Sequence, residues 1–177
     1  MKIQTIQESG CIFEFCCDAY IQLDRLKNYR QINYLGLKAV DLVFSNKDEI
    51  YFVEIKCYEY FREFLDGQDG KKAQVLVRKL IDSIFFLGVV RTNDLNLKKL
   101  RSVLYDAVNE GEKTAFVIMI CPICRGSSES RVMPDQIMVV REVLQRKLKG
   151  LKEAFNLTVL IDSYYNKLGI FNGVRQV

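Results

Sequence analysis

Ala39-Val40-Asp41-Leu42-Val43-Phe44, then Asn46-Lys47-Asp48-Glu49, then Ile50-Tyr51-Phe52-Val53-Glu54-Ile55-Lys56-Cys57, is the stretch that decides how this chain folds. The first segment is short and apolar, and the last is rich in β-branched and aromatic residues, which suit a pleated, half-buried surface. The polar residues between them read as a loop of four residues, so the whole reads as a β-hairpin. With 46–49 as the turn and no bulge, Ser45 faces Ile50, Val43 faces Phe52 and Asp41 faces Glu54. Directly opposed side chains share one side of a sheet. Lys56 follows Glu54 by a strand period and joins the same side. Carboxylates and an ammonium thus converge at the open end of the hairpin.

Upstream, residues 12–15 and 19–23 are short β-rich candidates, and Asp24 reads as the N-cap of a helical turn reaching Arg30. Downstream, residues 71–90 have helical spacing, with Leu76, Leu80, Ile84 and Leu87 on one face. Asn93-Asp94 caps a further helix over 95–108, which Glu110-Gly111 ends. Residues 114–121 form a continuous apolar strand, expected to be buried on both faces. Pro134 opens a long helix to about residue 155. A last buried strand follows at 157–161, ending at Asp162-Ser163, and 164–177 shows no period. A strand, a crossing helix and another buried strand imply a parallel pair. The expected class is α/β, with a mixed central sheet flanked by helices. Without repeats or linkers, 1–177 reads as a single domain with a core over about 10–162 and a C-terminal tail at 163–177.

Composition narrows the chemistry. A chain of 177 residues with 49% hydrophobic and 27% charged residues can bury a real core. The net charge of +4 is compatible with a polyanionic partner. There is no histidine, which excludes every mechanism built on imidazole as base, nucleophile or ligand. Carboxylates, lysine and a hard metal ion remain for hydrolysis. Residues 1–10 lack the apolar run of a signal peptide, and the longest apolar runs, 84–90 and 115–121, are too short to span a bilayer. A soluble cytoplasmic protein is expected, with its six cysteines as reduced thiols.

Opposed carboxylates destabilise a sheet unless positive charge sits between them. At Asp41 and Glu54 that charge is Lys56 or a divalent cation. Oxygen ligands suit Mg²⁺ or Mn²⁺, which can activate water and stabilise the charged transition state of phosphodiester cleavage. Lys56 would orient or deprotonate the water, or neutralise charge on the phosphate. The plain alternative is a solvated strand face, and Glu-x-Lys alone is a weak signal. Ile50 and Phe52, however, share the face with Glu54, and charge bordering apolar surface is costly without a role.

Asp41, twelve intervening residues, then Glu54-Ile55-Lys56, on a hairpin followed by helix and strands, resembles the PD-(D/E)xK nuclease superfamily over about residues 10–120. Val40 stands where that motif has its leading proline. The resemblance implies a restriction endonuclease-like fold and Mg²⁺-dependent cleavage of DNA, less often RNA. It implies Asp41 and Glu54 as metal ligands and Lys56 as the catalytic lysine. Many members add an acid from the amino-terminal region; Glu14 is the preferred candidate here, ahead of Glu8 and Asp24. Some carry a glutamine on the following helix with a tyrosine four residues later; Gln74 is in place, but Arg78 replaces the tyrosine.

Lys71, Lys72, Gln74, Arg78 and Lys79 cluster at the start of that helix, with Lys71, Gln74 and Arg78 on one face. Such a patch would hold a nucleic acid backbone, unless it is an ordinary solvated face. Cys121-Pro122-Ile123-Cys124 resembles half of a zinc or iron–sulfur site whose other ligands would come from Cys11, Cys16 or Cys17; structural thiols are the expected reading. Cys57 falls on the face opposite Glu54 and reads as core. Tyr58, Tyr60, Phe61 and Phe64 suit base stacking or burial beneath a loop. The expected activity is that of a divalent-metal-dependent nuclease, acting as a homodimer or within a larger assembly if it cuts DNA. The alternative is a nuclease-like fold that only binds nucleic acid or protein.

Overall fold

The hairpin closes in the expected register. In the computed structural model, which describes residues 2–32, 35–57, 69–111, 113–121, 134–163 and 167–177, β4 (Leu42–Asn46) runs antiparallel to β5 (Glu49–Cys57). Val43 pairs with Phe52 and Ser45 with Ile50. Asn46 also pairs with Glu49, so the loop shortens to Lys47-Asp48. Lys47 takes a positive φ of 55°, and its N–H is held by Asp18 Oδ2 at 2.9 Å.

Upstream lie β1 (Lys2–Glu8), β2 (Cys11–Cys17), β3 (Ala19–Ile21) and α1 (Lys27–Ile32). Downstream come α2 (Asp69–Val89), α3 (Leu95–Glu110), β6 (Thr114–Cys121), α4 (Pro134–Lys147), α5 (Lys149–Ala154), β7 (Leu157–Ser163) and β8 (Gly173–Gln176). A five-stranded sheet has the order β3-β4-β5-β6-β7. It is mixed: β5 is antiparallel to β4 but parallel to β6, and β6 is parallel to β7. The chain is therefore an α/β fold with a mixed sheet and helices.

Strand alternation divides the side chains between two cores. Val43, Ile50, Phe52, Phe116, Ile118 and Ile120 pack with helical residues such as Leu76, Leu80 and Leu100. Leu42, Phe44, Val53, Ile55, Val117 and Met119 pack with Phe13, Phe15 and Phe171 on the other side. Covered on both sides, β6 buries all eight of its residues, as its unbroken apolar run requires. Phe44 stacks on Tyr51 at 4.7 Å and meets Phe15 at 5.0 Å. These geometries add to the burial energy of large rings.

The second core exists because of a sheet not expected from the sequence: three strands in the order β1-β2-β8. Ser9 and Gly10 both have positive φ, 49° and 72°, as in the tight turns whose twist suits a hairpin. The expected tail carries β8, which pairs with β2 through Phe13↔Val174 and Cys11↔Gln176. The core thus reaches beyond 10–162 at both ends. Asp24 does not cap a helix: it lies inside a 3₁₀ turn (Leu23–Arg25) whose N-cap position is Gln22. The expected long helix from Pro134 breaks at the buried Leu148, between α4 and α5. The α3 ends are as expected: Asp94 accepts the Leu97 N–H at 3.1 Å, and Gly111 closes the helix at φ 75°. Among the described residues no helix is long and apolar enough to cross a membrane.

Candidate functional site

The site begins where the β4–β5 ladder stops. Leu42↔Val53 is its last pair, and Asp41 stands one residue outside it. The Asp41 carboxylate takes over the ladder's work: its Oδ2 accepts the Ile55 N–H at 2.7 Å. Glu54 projects from β5 to the helical side and is fully buried. Its Oε1 accepts from Lys79 Nζ at 2.6 Å and also from Lys56 Nζ. Lys79 Nζ lies 3.7 Å from Asp41 Oδ1, so one ammonium reaches both acids. Glu54 Oε2 has no hydrogen-bond partner among the described residues.

Helix α2 positions this group from above. Ser83, fully buried, donates to Lys79 O at 2.7 Å and accepts the Val40 N–H at 3.0 Å. Asp82 Oδ2 accepts the Lys38 N–H at 2.8 Å, and Arg78 Nη2 donates to Gly36 O at 3.1 Å. The segment leading into Asp41 is thus tied to the turns of α2 that carry Lys79. These bonds satisfy backbone groups that a loop would otherwise leave unpaired.

Burial pushes the Glu54 carboxyl above its ordinary range, and the Asp41 charge adds to this; Lys56 and Lys79 pull the other way. Taking a carboxylate out of water costs more than nearby ammonium groups return unless its oxygens are all satisfied. The orphaned Oε2 is the part of that cost no described residue offsets. Hard oxygen donors, one of them unpaired and buried, fit an oxygen-seeking divalent cation. Among the described residues no cluster of three or more metal-ligating side chains occurs, so Asp41 and Glu54 form a pair.

The structure brings together Asp41, Glu54 and Lys56. Glu14, the preferred amino-terminal acid, is not with them: it sits on β2 opposite Gly173, with Arg175 Nη2 3.6 Å from its carboxylate. The strand period of β2 and its pairing with β8 carry it there. Glu8 is the acid near enough to feel Asp41, whose charge joins burial in raising the Glu8 carboxyl. It lines an open polar cleft with Ser9, Tyr20, Gln22 and Arg25. Asp24 is exposed on the 3₁₀ turn, whose Leu23 is buried.

On α2, Lys71 and Gln74 face solvent and Lys72 is half-buried. Arg78, expected to contact nucleic acid, is occupied with Gly36 O and, at 3.5 Å, with Asp82. Lys79, which the sequence places in the basic patch, is the residue that joins the two acids. The available signal was its place beside Leu76, Leu80 and Ser83 on the buried face of α2. Cys121 lies in the inter-sheet core, where its hydrogen bond lowers the Cys11 thiol below the ordinary range. Cys57 pairs with Cys121 in the β5–β6 ladder and is half-buried. Cys124 and the aromatic run Tyr58, Tyr60, Phe61 and Phe64 lie outside the described residues. Comparison with family models, with curated proteins and with solved structures finds no match.

Proposed function

We propose that the chain is a divalent-metal-dependent nuclease of restriction endonuclease-like fold that hydrolyses phosphodiester bonds, with DNA as its substrate and the cytoplasm as its place of work. The single observation that carries this reading is that Asp41 and the buried Glu54 share one ammonium beyond the end of the β4–β5 ladder, with Glu54 Oε2 left without a partner among the described residues. Support for the fold comes from the order of strands around the acids: an antiparallel hairpin, then parallel β6 and β7.

Asp41 and Glu54 would hold Mg²⁺ or Mn²⁺ through carboxylate oxygens. A bound ion of this kind supplies a more acidic water and neutralises charge on the phosphate. The protein's own contribution is positioning and electrostatics. The buried floor under Glu54 excludes water and strengthens each charge interaction. Lys56 Nζ, anchored to Ile55 O at 3.3 Å, keeps an ammonium beside Glu54 where negative charge would build on a substrate. Lys71 and Gln74, exposed on α2, would contact a passing backbone.

The test is cleavage of labelled single- and double-stranded DNA and RNA with Mg²⁺, Mn²⁺ or chelator. Metal-dependent cleavage that disappears in Glu54→Gln and Lys56→Met is the expected result. Wild-type protein inert on every substrate with either metal would overturn the reading. One observation favours a second reading, a fold that binds nucleic acid without cutting it: Lys79 already supplies a cation to both acids. Tight binding without cleavage would select it.

A further inference from the structure

We infer that Lys79 is a resident counter-ion occupying the cation position between Asp41 and Glu54, so that a divalent metal binds by displacing its ammonium. This rests on the metal-dependent reading above. Lys79 Nζ is 2.6 Å from Glu54 Oε1 and 3.7 Å from Asp41 Oδ1. Those are the two groups an incoming cation would need. Lys56 meets the same Glu54 oxygen from along its own strand, whereas Lys79 reaches across from α2.

A buried Glu54 beside a half-buried Asp41, with neither metal nor ammonium, would be strongly destabilised, because unpaired charge in the interior is costly. Lys79 lets the protein fold without metal. The consequence is competition: part of the metal's binding energy is spent breaking the Lys79–Glu54 pair. Linkage makes the effect reciprocal, so removing the ammonium strengthens metal binding by the energy of the broken pair. The side chain is about four-fifths buried, being 19% exposed, so the pair is not a screened surface bridge. A Lys79 ammonium displaced from Glu54 and Asp41 leaves these two carboxylates, and a substrate phosphate offers it a new charge partner.

The experiment is Mn²⁺ titration by calorimetry on wild type, Lys79→Met, Lys79→Gln and Lys56→Met, with melting temperature followed with and without Mn²⁺. Both Lys79 variants should bind Mn²⁺ about tenfold more tightly than wild type, the size expected when a partly buried pair no longer has to be broken. Lys56→Met should gain distinctly less. Should the Lys79 variants be poorly folded alone, Mn²⁺ should restore their melting temperature, since the ion takes the ammonium's place. Wild-type binding that the Lys79 variants match or weaken overturns the displacement while leaving the metal site standing. An equal gain in Lys56→Met overturns it too, reducing it to general charge removal. Variants that Mn²⁺ fails to restore contradict it directly. Absence of Mn²⁺ binding in every protein overturns both the displacement and the metal-dependent reading.

Discussion

Asp41 Oδ2 accepts the Ile55 N–H at 2.7 Å, so a side chain closes the hairpin at the point where its backbone ladder ends. The carboxylate therefore has one oxygen on the backbone and one turned to the Lys79 ammonium, 3.7 Å away. The two roles separate by substitution. Asparagine retains an acceptor for the amide but not the charge. Asp41→Asn should keep its melting temperature within about 2 °C of wild type, as for a surface change of a few tenths of a kcal/mol. It should lose metal binding. Asp41→Ala should lose both, at a cost of about 1–2 kcal/mol for the unpaired amide. Thermal melts and Mn²⁺ titration of the pair check this.

Glu54 gives a pH prediction. Its carboxyl is raised above 4.5 in the folded protein, chiefly by burial, so the native state holds that proton more tightly than the unfolded chain. The stability it contributes is full below about 4.5 and is lost as pH rises through the folded value. Glu54→Gln removes this dependence. Without metal, the melting temperature of the variant minus that of wild type should increase from pH 4.5 toward neutrality and then level off. A difference that decreases over that range contradicts the raised value.

Ser83 links the site to its support. Its hydroxyl accepts the Val40 N–H and donates to Lys79 O, both inside the protein. Ser83→Ala leaves the Val40 amide buried and unpaired, at a cost of about 1–3 kcal/mol. Because Asp41 is the next residue, cleavage should fall as well. Restoration of both stability and cleavage by Ser83→Thr, read from denaturant melts and single-turnover rates, separates positioning from a general loss of packing.

The basic face of α2 divides by contact. Lys71 is exposed on α2, so Lys71→Ala should lower the salt dependence of DNA binding by about one ion. Arg78 is bound to Gly36 O and Asp82, so Arg78→Ala should act on stability, lowering the melting temperature by about 2 °C for a loss below 1 kcal/mol. Fluorescence anisotropy across a salt series, with parallel melts, distinguishes the two.

What could be read from the sequence was local. The β4–β5 register follows from strand period and turn residues only a few positions apart, although its ladder stops at Leu42↔Val53, and it is the Lys79 ammonium that reaches both Asp41 and Glu54. The Asp94 cap and the Gly111 stop are likewise contained within one helix. The second sheet was not readable, because β2 and β8 pair across most of the chain and β1 is largely polar, with Ile6 as its buried residue. Periodicity carries no information about such a pairing. Glu14 was misassigned for the same reason: its neighbours are Gly173 and Arg175. Lys79 was missed as a partner because it meets Glu54 across a separation of 25 residues and an intervening segment. A charged residue within a basic run looks solvated until the packing of its helix is known.

The most direct test of a shared cation is an anomalous-scattering map of crystals soaked in Mn²⁺. The expected result is a peak in direct coordination contact with carboxylate oxygens of both Asp41 and Glu54, with the Lys79 ammonium moved away from Glu54. A map without manganese at these acids, at saturating concentration and with Lys79 still bridging them, would contradict the account.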